Sequence, residues 1–306
     1  MSQGQSKPLV SVIMVDGGFR ENFDPLTSWM NQSLPSEDYE LIWVEYTDHV
    51  APEVGATGRF RTFSMSLDDE PQVLPRAYNE GIRRAKADIL VIPDADVYCE
   101  HDLLETIADE LASDPREVLY ILRLDQPRWR HSHDQTFEDV RETCSIRRTQ
   151  NYGGCVAIHR ERMIEMNGYE QLPFFAGYHQ SGFDNYIRFK NMGLKICWHP
   201  TQRVYHPWHE IPGGQKFSQR EEQKRFIARR AAAWDYLAYH GLDETRNRDY
   251  APETPLPTDW ANVMTERGLY RHAEGIVFEA RPEVASPPER RGFAARLRGL
   301  FGKSGS

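Results

Sequence analysis

The sequence lacks several features that would assign it early to a class of protein. It has no apolar run of membrane-spanning length, and its start, MSQGQSKPLV, has no signal-peptide character. The four cysteines are scattered, with no pair at a zinc-ligand spacing. Basic residues number 37 against 46 acidic ones, and the net charge of −9 argues against a nucleic-acid partner. We therefore expect a cytoplasmic protein with free thiols.

Strand-like and helix-like segments alternate through the first half of the chain. Leu9–Val15 is continuous and β-branched, which is typical of a strand buried on both faces, and Tyr39–Tyr46 and Glu117–Leu124 predict further strands. Apolar residues at helical spacing predict a helix over Asp24–Leu34 and others between the later strands. This alternation predicts an α/β fold with a mainly parallel, Rossmann-like sheet flanked by helices.

The second half is less regular. A turn at Gly153 and Gly154 precedes a predicted strand and a short helix. The next helix is predicted to end at Met192, with Gly193 as its C-terminal cap. A long helix is predicted from Arg220 to the glycine at 241.

Three regions follow from this pattern: an α/β domain at 1–215, a helical C-terminal extension at 216–280, and a flexible linker with a tail at 281–306. The tail has four apolar residues at helical spacing, interleaved with arginine and lysine. It predicts either a basic amphipathic helix on an anionic membrane, at the inner face, or a frayed terminus. The apolar residues are Phe293, Leu297, Leu300 and Phe301.

Acidic residues follow three of the predicted strands, at the point where each strand ends. Asp16 and Glu45 end the first two, and Asp94 and Asp96 follow the apolar run ILVIP. In parallel sheets, ligands bind beyond the carboxyl ends of the strands. Carboxylate oxygens suit Mg²⁺ and Mn²⁺, which often bind phosphates as well. The alternative is that Asp94 and Asp96 only form a turn.

Six segments together resemble family 2 glycosyltransferases, which are nucleotide-sugar-dependent enzymes of the GT-A fold. The resemblance runs from Leu9 to His209, about two-thirds of the chain. It implies a GT-A sheet and a metal-dependent, hexosyltransferase-like enzyme. The segments, in order, are VSVIMVDGG, YELIWVEYTD, PRAYNEGIRRAKADILVIPDADVYCEHDLLETI, NYGGCVAIHRERMIEMNGY, GFDNYIRFKNMGLKI and VYHPWH.

The resemblance implies roles for individual residues on the donor side. Asp94 and Asp96 match the DxD motif that binds the metal and the diphosphate, with Asp96 as the direct ligand. Asp16 also stands at a strand end on this side. Glu45 stands where the family has an aspartate that contacts the nucleobase, although the following residues depart from the usual DDGS. Asn79 matches a position beside the diphosphate and sugar, and Arg76 is placed to contact phosphate.

On the acceptor side, the resemblance assigns Gly153 and Gly154 to a turn that lines the acceptor. The sequence departs from the family at Ser181-Gly182, where many relatives have an acidic pair that supplies the general base. Asp184 is then the best remaining candidate for the base, with His179 second. The alternative is that Asp184 only caps a helix.

His206 follows the strand-like segment RVY, at the place where this fold often supplies a third metal ligand. The resemblance therefore implies a metal site of Asp94, Asp96 and His206, holding Mn²⁺ or Mg²⁺. Imidazole suits Mn²⁺ better than Mg²⁺. The alternative is a structural histidine.

The function that these features predict is transfer of a sugar, with inversion, from a nucleotide-diphosphate donor to a hydroxyl group. The donor is expected to be UDP- or GDP-linked, and the acceptor a glycan or a lipid-linked glycan, as in polysaccharide biosynthesis. Two alternatives stay open. One is a nucleotide-binding partner protein that has lost catalysis, and the other, less favoured, is a nucleotidyltransferase.

Overall fold

The structure is a computed structural model of the 306-residue chain. It describes residues 7–17, 23–46, 60–65, 73–147, 151–176, 180–210, 219–251 and 262. His179 and the tail at 281–306 lie outside the described residues, as does the predicted boundary at 280. No helix in the described ranges is long and apolar enough to cross a bilayer.

Eight strands form a single sheet in the order β3-β2-β1-β4-β7-β6-β8-β5. The strands are β1 (Val10–Asp16), β2 (Tyr39–Glu45), β3 (Phe60–Ser64), β4 (Ile89–Pro93), β5 (Tyr98–Cys99), β6 (Glu117–Asp125), β7 (Cys155–His159) and β8 (Lys195–His206). Strands β5 and β7 run antiparallel to their neighbours, and the other six share one direction. The predicted α/β fold with a mainly parallel sheet is confirmed.

Seven α-helices accompany the sheet in the described part of the chain. They are α1 (Asp24–Met30), α2 (Leu74–Arg84), α3 (Leu103–Leu111), α4 (Phe137–Thr143), α5 (Arg160–Glu165), α6 (Ser181–Asn191) and α7 (Arg220–Ala232). The strand β3 and the helix α4 were not predicted.

Apolar side chains of the central strands alternate between two cores, one on each face of the sheet. In β1, Val12 and Met14 pack with α1 and α3, whereas Ile13 and Val15 pack with α2, α5, α6 and α7. Burial on both faces explains why the central strands are continuously apolar rather than alternating with polar residues. It also leaves the strand ends as the place where polar side chains gather.

The helix predicted from Arg220 to residue 241 is wrong beyond Ala232. Trp234 adopts a left-handed φ of 57°, and the amide of Asp235 donates to the carbonyl of Arg230 at 3.1 Å. These are marks of a Schellman ending, here with tryptophan where glycine is usual. The chain then follows residues 166–171, with the amide of Ala238 donating to the carbonyl of Met166. The helical character of the extension past α7 is therefore not confirmed.

The predicted glycine cap of α6 is confirmed. Gly193 has a φ of +70°, and the amide of Leu194 donates to the carbonyl of Phe189 at 3.0 Å. This ending turns the chain directly into β8, which runs to His206 rather than stopping at Trp198 as predicted.

Candidate active site

The carboxyl ends of six strands meet at one edge of the sheet, and polar residues occupy that edge. Asp16 and Glu45 are register partners at the ends of β1 and β2. Asp94 and Asp96 follow β4. These four acidic residues therefore lie at one edge, as their positions at strand ends predict, and it is the edge where ligands bind in open α/β sheets.

A further pair of polar residues lies at the same edge. Asp125 and His206 are register partners at the ends of the parallel strands β6 and β8. The short strand β5 pairs with β8 through Tyr98 and Tyr205, which brings the segment after Asp94 beside His206. The topology thus joins residues that are more than 100 positions apart in the chain.

Asp96, His206 and His209 form a compact cluster at this edge. Asp96 Oδ2 lies 3.5 Å from His206 Nε2 and 3.2 Å from His209 Nε2. One ligand atom from each side chain lies within 4.8 Å of the other two. Two ligands about 2.1 Å from one ion, at right angles to each other, would lie about 3 Å apart. A carboxylate and two imidazoles at these separations fit a divalent cation.

Both imidazoles are held by their other ring nitrogen. His206 Nδ1 lies 3.2 Å from Asp125 Oδ1, and His209 Nδ1 lies 2.9 Å from the carbonyl oxygen of Glu210. Because a carbonyl oxygen can only accept, His209 carries its proton on Nδ1 in this contact. The Nε2 atom of each neutral ring would then offer its lone pair to a cation placed between the rings and Asp96. Outer oxygens that fix ligating histidines in this way are usual at metal sites.

Arg123 pairs with two carboxylates at the same edge. Its Nη1 donates to Asp94 Oδ2 at 2.6 Å, and its Nη2 lies 2.9 Å from Asp125 Oδ1. Asp94 is therefore held by a guanidinium, and the described cluster of metal-ligand atoms contains Asp96 but not Asp94. Metal binding by Asp94, and the more direct role of Asp96, stay predictions.

The surrounding negative charges favour a positive charge on the His206 imidazole. Burial lowers the pKa of this imidazole, but the carboxylates of Asp96 and Asp125 outweigh burial and raise it above its ordinary value. The pKa of Asp125 is lowered, because its contacts with His206 and Arg123 outweigh the opposing effect of burial. Two carboxylates, those of Asp96 and Asp125, thus lie beside the two ring nitrogens of His206.

Asp184 lies away from this cluster in a fully buried charge network. Its two carboxylate oxygens accept from Arg230 Nη1 at 2.7 and 2.6 Å, and Arg188 lies 3.6 Å away. Arg230 also donates to Glu170 at 2.7 Å. Burial raises the pKa of Asp184, although both arginines oppose the shift. Its role as general base stays a prediction, and full burial against Arg230 weighs against it.

The predicted acceptor turn lies beside Asp94 and Arg123. The amide of Asp94 donates to the carbonyl of Gly154 at 3.0 Å, and a Cβ added at Gly154 would lie 3.0 Å from Arg123 Cβ. The first turn of α6 packs on this turn, because a Cβ added at Gly182 would lie 2.6 Å from the amide nitrogen of Gly153. Gly182, where relatives carry part of an acidic pair, is therefore a packing residue here.

Among the predicted donor-binding residues, Glu45 and Asn79 have local hydrogen-bond partners. Trp43 Nε1 donates to Glu45 Oε1 at 2.6 Å. The Asn79 side chain donates to the carbonyl of Tyr169 and accepts from its amide, at 2.9 and 2.7 Å. Asn79 is completely buried, so it ties α2 to the chain after α5. Arg76 is half-buried and lines a cavity of about 400 Å³. Donor contact by these residues stays a prediction.

Three site residues were not assigned from the sequence: Arg123, Asp125 and the second histidine, His209. Asp125 carried a usable signal, since it directly follows a predicted strand as Asp16 does. The signal for His209 is its position three residues after His206, in the same segment VYHPWH. Arg123 had no signal, because an arginine within a strand does not reveal which neighbouring strand it faces.

Comparison with known proteins bears on the family and the fold. The family model for glycosyl transferase family 2 matches residues 68–181, a range that includes Asp94, Asp96 and the turn at Gly153. A search of curated proteins gave no match. The predicted resemblance to family 2 glycosyltransferases is confirmed.

Three solved structures share the fold. GalNAc-T7, solved with UDP, GalNAc and Mn²⁺, has a TM-score of 0.52 at 15% identity, over 85% of this chain and 54% of its own. The mannosyltransferase PcManGT of Pyrobaculum calidifontis, solved with GDP-Man and Mn²⁺, scores 0.50 at 16% identity, over 86% and 70%. TarS of S. aureus, residues 1–349, scores 0.50 at 14% identity, over 78% and 67%.

These identities establish the fold alone, and the chain spans about half the length of GalNAc-T7. The GT-A fold is confirmed, and the match to the family model supports the prediction of a glycosyltransferase.

Proposed function

We propose that this chain, which shares the family model and the fold of family 2 glycosyltransferases, transfers a sugar from a nucleotide-diphosphate donor to an acceptor hydroxyl. The observation that carries the proposal is the cluster of Asp96, His206 and His209 at the carboxyl edge of the sheet. A cation at this edge would meet the diphosphate where open α/β sheets bind their ligands.

Asp96, His206 and His209 would hold the divalent cation. Two imidazoles in the set favour Mn²⁺ over Mg²⁺, which prefers oxygen ligands. When bound, the cation neutralises negative charge on the diphosphate leaving group. Asp125 and the carbonyl of Glu210 keep the two Nε2 atoms directed at the same place. Arg123 adds positive charge at the edge and holds Asp94 beside the donor.

The reaction exchanges one bond at the anomeric carbon of the donor sugar. The acceptor oxygen forms a bond to this carbon while the bond to the diphosphate oxygen breaks. The electron pair of the broken bond leaves with the nucleoside diphosphate, and the hydroxyl proton passes to a base. Attack opposite to the leaving group inverts the anomeric configuration, as the family resemblance implies.

Asp184 and His179 are the two candidates for the base. Asp184 would have to exchange its contacts with Arg230 for a contact with the acceptor, at a cost in buried charge. His179 is the second candidate. A His179→Gln variant that keeps nucleotide binding but loses turnover would support His179 over Asp184.

UDP- and GDP-linked sugars are the proposed donors. GalNAc-T7 was solved with UDP and PcManGT with GDP-Man, each with Mn²⁺. The proposed acceptor is a glycan or lipid-linked glycan in polysaccharide biosynthesis. The basic tail would bring a cytoplasmic protein to the inner face of a membrane. Removal of residues 293–306 should then abolish co-sedimentation with anionic liposomes, and unchanged co-sedimentation would contradict membrane contact.

The direct test is donor turnover. UDP- and GDP-sugars are incubated with the native chain and Mn²⁺, and release of nucleoside diphosphate is measured with and without a mixed glycan acceptor. We expect release from one donor class, strictly dependent on the metal and lost in Asp96→Asn. Asp109→Asn, which lies on α3 outside the site, is the matched control and should retain full turnover.

Because Ser181-Gly182 is not an acidic pair, one alternative to an active transferase stays open. A nucleotide-binding partner protein would bind a nucleoside diphosphate with Mn²⁺ and release nothing from any donor. That result would support the alternative. Release of pyrophosphate from a nucleoside triphosphate would instead indicate a nucleotidyltransferase.

A further inference from the structure

Two aromatic segments leave the sheet side by side at the metal edge, by which we mean the edge that carries Asp96, His206 and His209. After Asp125, β6 continues into a 3-10 turn at Arg128–Arg130, and after His206, β8 continues through Trp208 to His209. Because Asp125 and His206 are register partners, these segments start from adjacent points of the sheet. We call the surface formed by Arg128, Trp129, Arg130, His131 and Trp208 the aromatic shelf.

Trp129 is the most exposed large apolar side chain in the described ranges, at 72%. The guanidinium of Arg130 lies 4.6 Å from the centre of its ring. Exposing an indole to water is unfavourable, and exposed apolar surface next to a site often marks a binding surface. The other exposed tryptophan, Trp234, has a local explanation, since it forms the ending of α7.

Trp208 connects the shelf to the metal cluster, because it stands between His206 and His209 in the chain. The guanidinium of Arg128 lies 5.2 Å from its ring centre, and the ring of His131 lies 5.3 Å away. The shelf therefore consists of two indoles with nitrogen donors from arginine and histidine around them.

The side-chain amide of one buried residue, Gln126, holds the two segments of the shelf together. Gln126 is 1% exposed, and its Oε1 accepts from the backbone amide of Trp208 at 3.1 Å. Its Nε2 donates to Gln135 and to Thr143, both at 2.8 Å. A fully bonded amide fixes the two segments relative to each other. A preformed surface of this kind loses less entropy on binding than a mobile loop.

The chemistry of the shelf matches a sugar ring. A pyranose has apolar C–H faces that pack on an indole and hydroxyl groups around its rim that accept from arginine and histidine. The surface lacks the excess of positive charge that a nucleic acid requires, because Asp134 and Glu210 accompany Arg128 and Arg130.

We propose that the aromatic shelf is an acceptor subsite that stacks a sugar ring on Trp129 and Trp208. The proposal rests on the proposed function. The shelf lies beyond the cluster of Asp96, His206 and His209 rather than within it. The sugar stacked there is therefore a neighbour of the sugar that is attacked. It follows that the acceptor is a glycan chain of two or more residues rather than a monosaccharide.

Binding to a printed glycan array tests the proposal, with neutral, carboxylate-bearing and phosphate-bearing oligosaccharides as probes. The protein carries Mn²⁺ and a nucleoside diphosphate during the assay. We expect the native chain to bind a subset of oligosaccharides and no monosaccharides. Trp129→Ala should weaken this binding about tenfold, the scale of one lost aromatic contact. Trp129→Phe should retain most of it.

Trp234→Ala is the matched control, because it removes an exposed indole away from the metal edge. It should leave glycan binding unchanged. Calorimetric titration with the nucleoside diphosphate and Mn²⁺, run on every variant, separates the shelf from the donor site. Trp129→Ala should bind the nucleotide as the native chain does.

Three results would overturn the shelf as an acceptor subsite. They are native protein that binds nucleotide but no oligosaccharide, unchanged glycan binding in Trp129→Ala, or loss of nucleotide rather than glycan binding in that variant. The last result would mean that the shelf holds the nucleobase. A fourth result separates the two proposals. If the native chain binds glycans but no nucleotide, and Trp129→Ala loses the glycan binding, the proposed function is refuted while the shelf remains a glycan-binding site.

Discussion

His206 Nδ1 lies 3.2 Å from Asp125 Oδ1, at the ends of two neighbouring parallel strands whose register pairs these residues. The contact directs His206 Nε2 towards Asp96. Backbone hydrogen bonds of the sheet thus set the direction of a side chain in the candidate metal cluster. A site built on strand ends in this way is held more firmly than one built on loops alone.

Replacing Asp125 should weaken metal binding without removing any direct ligand. Asp125→Asn keeps the size of the side chain but loses the charge that fixes the His206 tautomer. We expect the Kd for Mn²⁺, measured by calorimetry, to rise about tenfold or more. The exposed Asp134→Asn is the control for a lost negative charge. Equal Mn²⁺ affinity in the native chain and Asp125→Asn would show that Asp125 does not position His206.

His209 should contribute to the metal site as His206 does. His209→Ala removes one imidazole whose Nε2 lies 3.2 Å from Asp96, so we expect Mn²⁺ affinity to fall. His206→Ala should reduce it further, because His206 is more buried and is held by Asp125. His101→Ala, at an exposed position outside the site, should have no effect. Native affinity in His209→Ala would restrict the site to Asp96 and His206.

Gly182 should be more sensitive to substitution than the neighbouring Gly153. In a helix, alanine normally stabilises relative to glycine by about 0.5–1 kcal/mol. At Gly182 the added Cβ would lie 2.6 Å from the backbone of Gly153, so Gly182→Ala should instead lower the free energy of unfolding by about 1–3 kcal/mol. Urea denaturation measures the change.

Gly153→Ala is the matched control for this overpacking. Among the described residues, its added Cβ would meet only Asn151 Oδ1, at 3.9 Å. We expect a change in the free energy of unfolding below about 0.5 kcal/mol, as for surface substitutions. Similar destabilisation by the two variants would argue against the close packing of α6 on the turn.

Two measurements on Asp184→Asn separate a structural role from a catalytic one. Loss of this charge leaves Arg230 facing Glu170 alone, and breaking a buried pair costs about 3–5 kcal/mol. We expect the free energy of unfolding to fall on that scale. Glu221→Gln, in an exposed pair with Lys224, should change it far less, because water and salt screen an exposed ion pair. Unchanged stability with lost turnover would support Asp184 as the base.

The sequence predicted the elements that follow local rules. The run ILVIP followed by Asp94 and Asp96 marked a strand end, and Gly193 marked a helix end, because each signal involves only neighbouring residues. The ending of α7 was missed because Trp234 takes a left-handed conformation that tryptophan rarely adopts. Its cause is tertiary, since residues after Trp234 bond to the chain after α5.

The site was predicted in part for the same reason. The metal cluster joins Asp96 to His206 through the pairing of β5 with β8, and no local pattern reveals that pairing. Asn79 matched a family position, yet its amide bonds to Tyr169, a partner 90 positions away. Asp184 likewise meets Arg230 on α7. Residue type shows which side chains are polar. Only the fold shows which partner each of them contacts.

The central claim is that Asp96, His206 and His209 bind a divalent cation that holds a nucleoside diphosphate. Calorimetric titration of UDP and GDP, with and without Mn²⁺, on the native chain and Asp96→Ala tests it most directly. The account predicts that one nucleotide binds the native chain only with Mn²⁺, and that Asp96→Ala, with an unchanged circular dichroism spectrum, loses this binding. Metal-independent binding, or equal binding by native and Asp96→Ala protein, would contradict the account.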